Sequence, residues 1–307
     1  MEMKPADLEK HILNLSQELQ NFQEIAQNVK PSPGELPALQ GIDIYGESLP
    51  LAGIIGGDHI IYIDFKKRFD LDARIREAVR SRRPAVARRL ENLKHNAAIL
   101  VADVAGHRIT DALLAAMLHQ AFLLGVHYEL CISGEISTRL FESINARFYQ
   151  SSMVGKYITM LYGEISSDGT FRFISAAHPA PVIFSYEFNR FVEICPDRLV
   201  SFPPIGTMPS REDVDARRLP SPLGLKERYT VNELSLMGHH DILILYTDGL
   251  ADLTNPEGRR FFPDRLQELL RQVKDQPARD ICATIRQDLK EFGESGDDIS
   301  FVIIKRN

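Results

Sequence analysis

Four aspartates sit where apolar runs end: Asp58 in Gly56-Gly57-Asp58, Asp103 in Val101-Ala102-Asp103-Val104, Asp248 in Tyr246-Thr247-Asp248-Gly249, and Asp297 in Gly296-Asp297-Asp298-Ile299. A carboxylate at the end of a buried strand is costly to desolvate unless something pairs with it, and the runs themselves carry no Lys or Arg. A metal ion is the natural partner. Carboxylates with no nearby Cys and no His at regular ligand spacing favour a hard cation, Mg²⁺ or Mn²⁺, over zinc. Two such ions sharing aspartates would prepare a water for attack on phosphorus.

Several elements must bring these acids together. Ala98 to Val104 and Ile242 to Tyr246 read as strands, the first apolar enough to be buried on both faces. Strands are also expected over 41–46, 51–58 with 60–65, 157–165, 171–176, 181–184, 191–194, 231–236 and 299–305. The Asp168-Gly169 pair marks a hairpin between 157–165 and 171–176. Helices are expected over 71–94 with a break at Pro84, and over 110–125, 136–149, 264–273 and 277–292, with 198–224 irregular. Long helices between groups of antiparallel strands predict an α+β chain, two antiparallel sheets stacked face to face with helices outside. The aspartates then meet at one edge of the sandwich.

Ahead of this domain, Leu8, Ile12, Leu15, Leu19, Phe22, Ala26 and Val29 alternate spacings of four and three, a coiled-coil stripe over residues 7–30. It serves either as a homodimer seam or as packing for its own domain. Pro31-Ser32-Pro33-Gly34 ends it, giving a helical lead-in over 1–35 and a catalytic domain over 36–307.

Composition bounds the rest. Three scattered cysteines fit neither a disulfide framework nor a zinc cluster, and the N-terminus lacks a signal-peptide pattern. With no run of about 18 apolar residues, the expectation is a cytoplasmic chain without a membrane span. The net charge of -6 conceals an asymmetry: between Lys66 and His95 eleven Lys and Arg face four acids, giving +7 locally. This basic insertion, residues 66–97, is either a solvated helical hairpin or a docking surface for an acidic protein. Nucleic acid is not expected, because the rest of the chain repels phosphate.

Five ordered motifs then carry a resemblance. Gly56-Gly57-Asp58, Ala102 to His107 leading into Asp111-Ala112-Leu113-Leu114, Ser175-Ala176-Ala177-His178-Pro179, Leu245 to Gly249 with Asn255-Pro256-Glu257-Gly258, and Asp297-Asp298-Ile299-Ser300 resemble the SpoIIE-type bacterial branch of the PPM (protein phosphatase 2C) serine/threonine phosphatases. The resemblance covers about residues 40–307 and implies a four-layer αββα sandwich. It further implies two Mn²⁺ or Mg²⁺ ions held by Asp58, Asp103, Asp248, Asp297 and the Val104 carbonyl, with Asp103 bridging and Asp298 in reserve. Phosphoserine or phosphothreonine would be hydrolysed by a metal-bound water. The substrate it implies is a phosphorylated anti-sigma factor antagonist of the STAS type, in a bacterial signalling or stress-response switch. The alternative is a phosphatase-fold scaffold without turnover; a diguanylate cyclase reading of Gly56-Gly57-Asp58 lacks the required acid at His59.

Three histidines depart from or decorate the pattern. Where eukaryotic relatives carry a His two residues after the bridging Asp, this chain has Ala105, which leaves His107 as the candidate general acid. His59 replaces an aromatic and reads as a packed surface residue, the other reading being a hydrogen bonder beside the metal. His178 reads as a positioning residue.

Overall fold

The computed structural model describes residues 11–18, 20–21, 35–51, 56–105, 109–150, 156–218, 221–235 and 238–307. One sheet runs in the order β1 (Ile42–Leu49), β11 (Ile299–Arg306), β10 (Ile242–Tyr246), β6 (Val182–Ser185), β7 (Arg190–Phe191). The other runs β2 (His59–Asp64), β3 (Asn96–Val104), β4 (Ile158–Ser166), β5 (Phe171–Ala176), β8 (Ser201–Phe202), with β9 (Asn232–Leu234) also on β5. The first sheet is antiparallel throughout. The second is mixed rather than purely antiparallel, since β8 pairs parallel to β5. That departure arises because β8 belongs to the irregular 198–224 stretch, which returns to the sheet through a connection too short in pattern to read as a strand.

Alternation along the strands sorts their side chains into three cores. Ile61, Ile63, Ala98, Leu100 and Ala102 face outward onto α2 (Leu71–Arg80), α3 (Pro84–Leu93), α4 (Ile109–Ile132) and α5 (Thr138–Gln150). A short α1 (Phe65–Arg68) precedes them, capped by the Asp64 carboxylate. On the other side Ile244, Tyr246, Phe301 and Ile303 face α6 (Asp248–Asp252), α7 (Leu266–Val273) and α8 (Ala278–Phe292). Ile60, Ile99, Val101, Leu243, Leu245 and Val302 fill the space between the sheets. The result is the αββα sandwich.

One helical expectation changes. The first inter-motif helix runs on to Ile132 instead of ending at Gly125, because a Cβ at Gly125 would lie 2.1 Å from Leu140 Cδ1 of α5. Gly125 is there for helix contact, and the packed neighbour outweighs its helix-breaking tendency. α4 is also long and apolar enough, by length and composition, to cross a membrane. Its face of Leu114, Leu118, Phe122, Val126 and Leu130 is buried against the second sheet, while Leu113, Met117, Leu124, Tyr128 and Ile132 on the same helix are exposed.

The basic insertion forms the expected helical hairpin, and part of its charge is spent locally. Arg83 donates from Nη1 to the Cys131 carbonyl at 2.9 Å and from Nη2 to the Ile132 carbonyl, while Arg89 reaches Ser133 O at 3.2 Å. These are unsatisfied carbonyls at the C-terminal end of α4, where cations are favoured. In the lead-in, residues 11–18 and 20–21 are helical with Ile12 and Leu15 exposed. The remaining stripe positions lie outside the described residues.

Candidate active site

The strand alternation that builds the cores also aims the acids. Ile60 and Tyr62 point between the sheets, so Asp58 does as well, and His59 points the other way. On β3, Ile99 and Val101 point inward and Asp103 continues that row. In the first sheet Leu243 and Leu245 point inward, followed by Thr247, and Val302 is preceded by Ser300 and Asp298. β2 and β3 are paired with His59 opposite Ala102, and β10 and β11 with Tyr246 opposite Phe301, which brings all four chain ends to one edge.

Hydrogen bonds stitch the sheets there. Thr247 Oγ1 donates to Asp58 Oδ2 at 2.8 Å and accepts from Ser300 N at 2.9 Å. Asp298, buried, accepts from Leu51 N at 2.7 Å and Gly57 N at 2.6 Å through its two oxygens. Both oxygens of the reserve candidate are therefore engaged by backbone, and Asp298 braces the Gly56-Gly57-Asp58 loop. That brace explains the glycine: a Cβ on Gly56 would stand 2.1 Å from Asp298 Oδ2.

The charges feel one another. Burial first, then the Asp103 charge, raises the Asp58 carboxyl well above its ordinary range, despite the hydrogen bonds from Thr247 and Ser300. Asp103 is pushed up to about 7 by burial and by the charges of Asp248, Asp297, Asp298 and Asp111. Asp248 is raised by burial and Asp297. None of the ion pairs among the described residues involves Asp58, Asp103, Asp248 or Asp297. A divalent cation would relieve this repulsion, and an all-oxygen donor set fits a hard one. No three Asp, Glu, His or Cys side chains among the described residues stand close enough to cage an ion.

The repulsion makes a prediction. Unfolded, Asp103 titrates near 3.9; folded, it holds its proton up to about 7. The folded chain thus binds more protons than the unfolded one between those values, and stability falls as pH rises through that window. Metal-free protein should be less stable at pH 8 than at pH 5 by an amount on the order of a few kcal/mol, and so melt at a lower temperature, and added Mn²⁺ should recover the loss at pH 8. Thermal melts at the two pH values, with and without chelator, check it.

Of the histidines, His107 lies outside the described residues. His59 is buried instead of lying at the surface, its Nε2 2.8 Å from Nδ1 of the buried His119 on α4. The sequence reading fails because the partner is 60 residues away. His178 is buried, bonds Thr159 Oγ1 through Nδ1 at 2.9 Å, and is driven down to about 3 by that burial, hence neutral. Thr159 lies opposite Asp103 in the β3–β4 register, so His178 steadies the strand beside the site. One ion pair escaped the sequence reading altogether: Lys156, just before β4, with Asp111 on α4.

Fold and edge together define a PPM-type phosphatase domain, and solved structures share it. The SiaA-PP2C domain of Pseudomonas aeruginosa aligns with a TM-score of 0.65 at 14% identity, over 97% of this chain and 99% of that one. The RsbU and RsbW domains of Rv1364c from Mycobacterium tuberculosis align at 0.60 and 19% identity, over 88% of this chain and 61% of that one. The phosphatase domain with a regulatory fragment of SpoIIE from Bacillus subtilis aligns at 0.55 and 13%, over 87% and 64%. The present chain thus spans less than two thirds of two of these three. Comparison with curated protein sequences gives no match. The family model for Stage II sporulation protein E (SpoIIE) matches residues 94–307, and the chain belongs to that family. Asp58 precedes the matched span, and its tie to Thr247 joins it to the same edge.

Proposed function

We propose that this chain is a cytoplasmic, metal-dependent protein phosphatase that removes phosphate from phosphoserine or phosphothreonine. The observation that carries the reading is the meeting of Asp58, Asp103, Asp248 and Asp297 at one sandwich edge with no Lys or Arg ion-paired to them among the described residues. These four, with the Val104 carbonyl, would hold two Mn²⁺ or Mg²⁺ ions, Asp103 shared between them. Such ions, when bound, supply a nucleophilic water at neutral pH and neutralise phosphoryl charge. Thr247 holds Asp58 in place, Asp298 fixes the loop that carries it, and Thr159 with His178 supports the strand that carries Asp103. These contacts hold Asp58 and the strand that carries Asp103 in place before substrate arrives.

The substrate we infer is a phosphorylated STAS-type anti-sigma factor antagonist. The likeness to a chain holding RsbU and RsbW domains supports this reading, as does membership of the SpoIIE family. The lead-in helix, with Ile12 and Leu15 exposed, would relay a signal or pair with a second copy.

Purified protein stripped with chelator should hydrolyse neither p-nitrophenyl phosphate nor a phosphoserine peptide, and added Mn²⁺ should raise the rate at least a hundredfold on the scale expected of metal catalysis. Mn²⁺ binding without hydrolysis of either compound, or of a phosphorylated STAS protein, would instead establish the non-enzymatic scaffold.

A further inference from the structure

The C-terminal end of β3 carries both Asp103, the acid proposed to be shared, and the carbonyl of Val104. Beyond it the chain is described up to Ala105; pairing with β4 sets Asp103 opposite Thr159 and Val104 opposite Ile158, and three further hydrogen bonds place the turn. Val104 N donates to Gly57 O at 3.4 Å, a long bond, and Ala105 N donates to Tyr157 O at 3.0 Å. The third contact is made by a charged side chain: Lys156 Nζ donates to Ala105 O at 2.8 Å.

The same ammonium is 2.6 Å from Oδ1 of Asp111, whose side chain is fully buried in the first turn of α4, while the lysine side chain is 29% exposed. One cation thus joins three elements: the exit of β3, the start of α4 and the approach to β4. Nothing in the reaction as derived above uses Lys156 or Asp111, and a buried ion pair is weak evidence for stability as such. Its position beside the carbonyl-bearing turn gives it another role. Groups that hold a metal's ligands in place govern affinity nearly as strongly as the ligands do.

Resting on the reading of this edge as a metal site, we propose that the Lys156–Asp111 pair is a positioning device that fixes the Val104–Ala105 turn, and that divalent-cation affinity depends on it. Lys156 acts through the Ala105 carbonyl. Asp111 holds the ammonium so that one of its other two donors is aimed at that carbonyl and not at solvent.

The test is isothermal titration of chelator-stripped protein with Mn²⁺, with steady-state kinetics at saturating Mn²⁺ alongside. Lys156→Met takes the ammonium away from the fully buried Asp111 carboxylate, which endangers folding. The double variant Lys156→Met with Asp111→Leu replaces the pair by apolar groups of similar volume and keeps the experiment readable. Both variants should bind Mn²⁺ about tenfold or more weakly than the parent, with KM unchanged once Mn²⁺ is saturating, and Lys156→Arg should retain most of the affinity because it keeps charge and donor. A double variant that folds and binds Mn²⁺ as tightly as the parent overturns the proposal. So does unchanged Mn²⁺ affinity with a raised KM, which would make Lys156 a substrate contact. A parent chain that binds no Mn²⁺ overturns the metal-phosphatase reading as well, so the two failures are told apart by the parent's titration.

Discussion

Asp103→Asn is expected to lower Mn²⁺-dependent hydrolysis of p-nitrophenyl phosphate by about a thousandfold or more, equivalent to about 4 kcal/mol of transition-state stabilisation. The amide keeps the shape of the side chain and removes the charge that the proposed ions share. The same change should raise the melting temperature of the metal-free protein at pH 8, because Asp103 is the acid pressed by four others, Asp248, Asp297, Asp298 and Asp111. Opposite signs on activity and stability are the signature of a functional charge cluster, whereas a merely structural acid would lose both. An Asp103→Asn protein that retains activity would remove the catalytic assignment.

Gly249→Ala is expected to be strongly destabilising, its Cβ meeting the nearest backbone atom of any glycine described. A Cβ there would stand 2.0 Å from the backbone oxygen of Asp298 and 3.0 Å from its carbonyl carbon. Backbone cannot swing aside as a side chain does, so β10 and β11 must part at the edge where Thr247 and Ser300 join them. Overpacking of this kind costs about 3 kcal/mol or more, a fall in melting temperature of about 6 °C or more for a chain of this size. Gly296→Ala provides the control, for a Cβ there meets nothing within 4 Å and the backbone is not left-handed. Equal melting temperatures for the two variants would mean that the β10–β11 junction yields more readily than its geometry implies.

Close approach of this sort also explains how much of the site was legible in the chain. Asp248-Gly249 and Gly56-Gly57-Asp58 looked like turn sequences, and Gly56 and Gly249 in fact make room for Asp298. The motif was visible while its cause was not, because the cause lies in a distant part of the chain. Strands and most helices followed from local periodicity: the Asp168-Gly169 hairpin is present with Gly169 at φ +89, and Pro84 opens α3 as the first residue of a helix should. Where a partner from elsewhere outweighed local preference, as Leu140 does at Gly125, the helix boundary moved.

By itself the sequence determined which chemistry was available: four carboxylates with no competing thiol ligands, spaced along strands whose two-residue period sends alternate side chains to opposite faces. That information is local, since residue type and period survive without any fold. Tertiary structure alone decided that Asp298 accepts the backbone donors of Leu51 and Gly57, that His59 is buried against His119, and that Lys156 bridges Ala105 and Asp111. These contacts join residues from 45 to 247 positions apart, and no pattern within either segment records the other. Pairing energy for a buried polar group depends on the partner that packing delivers.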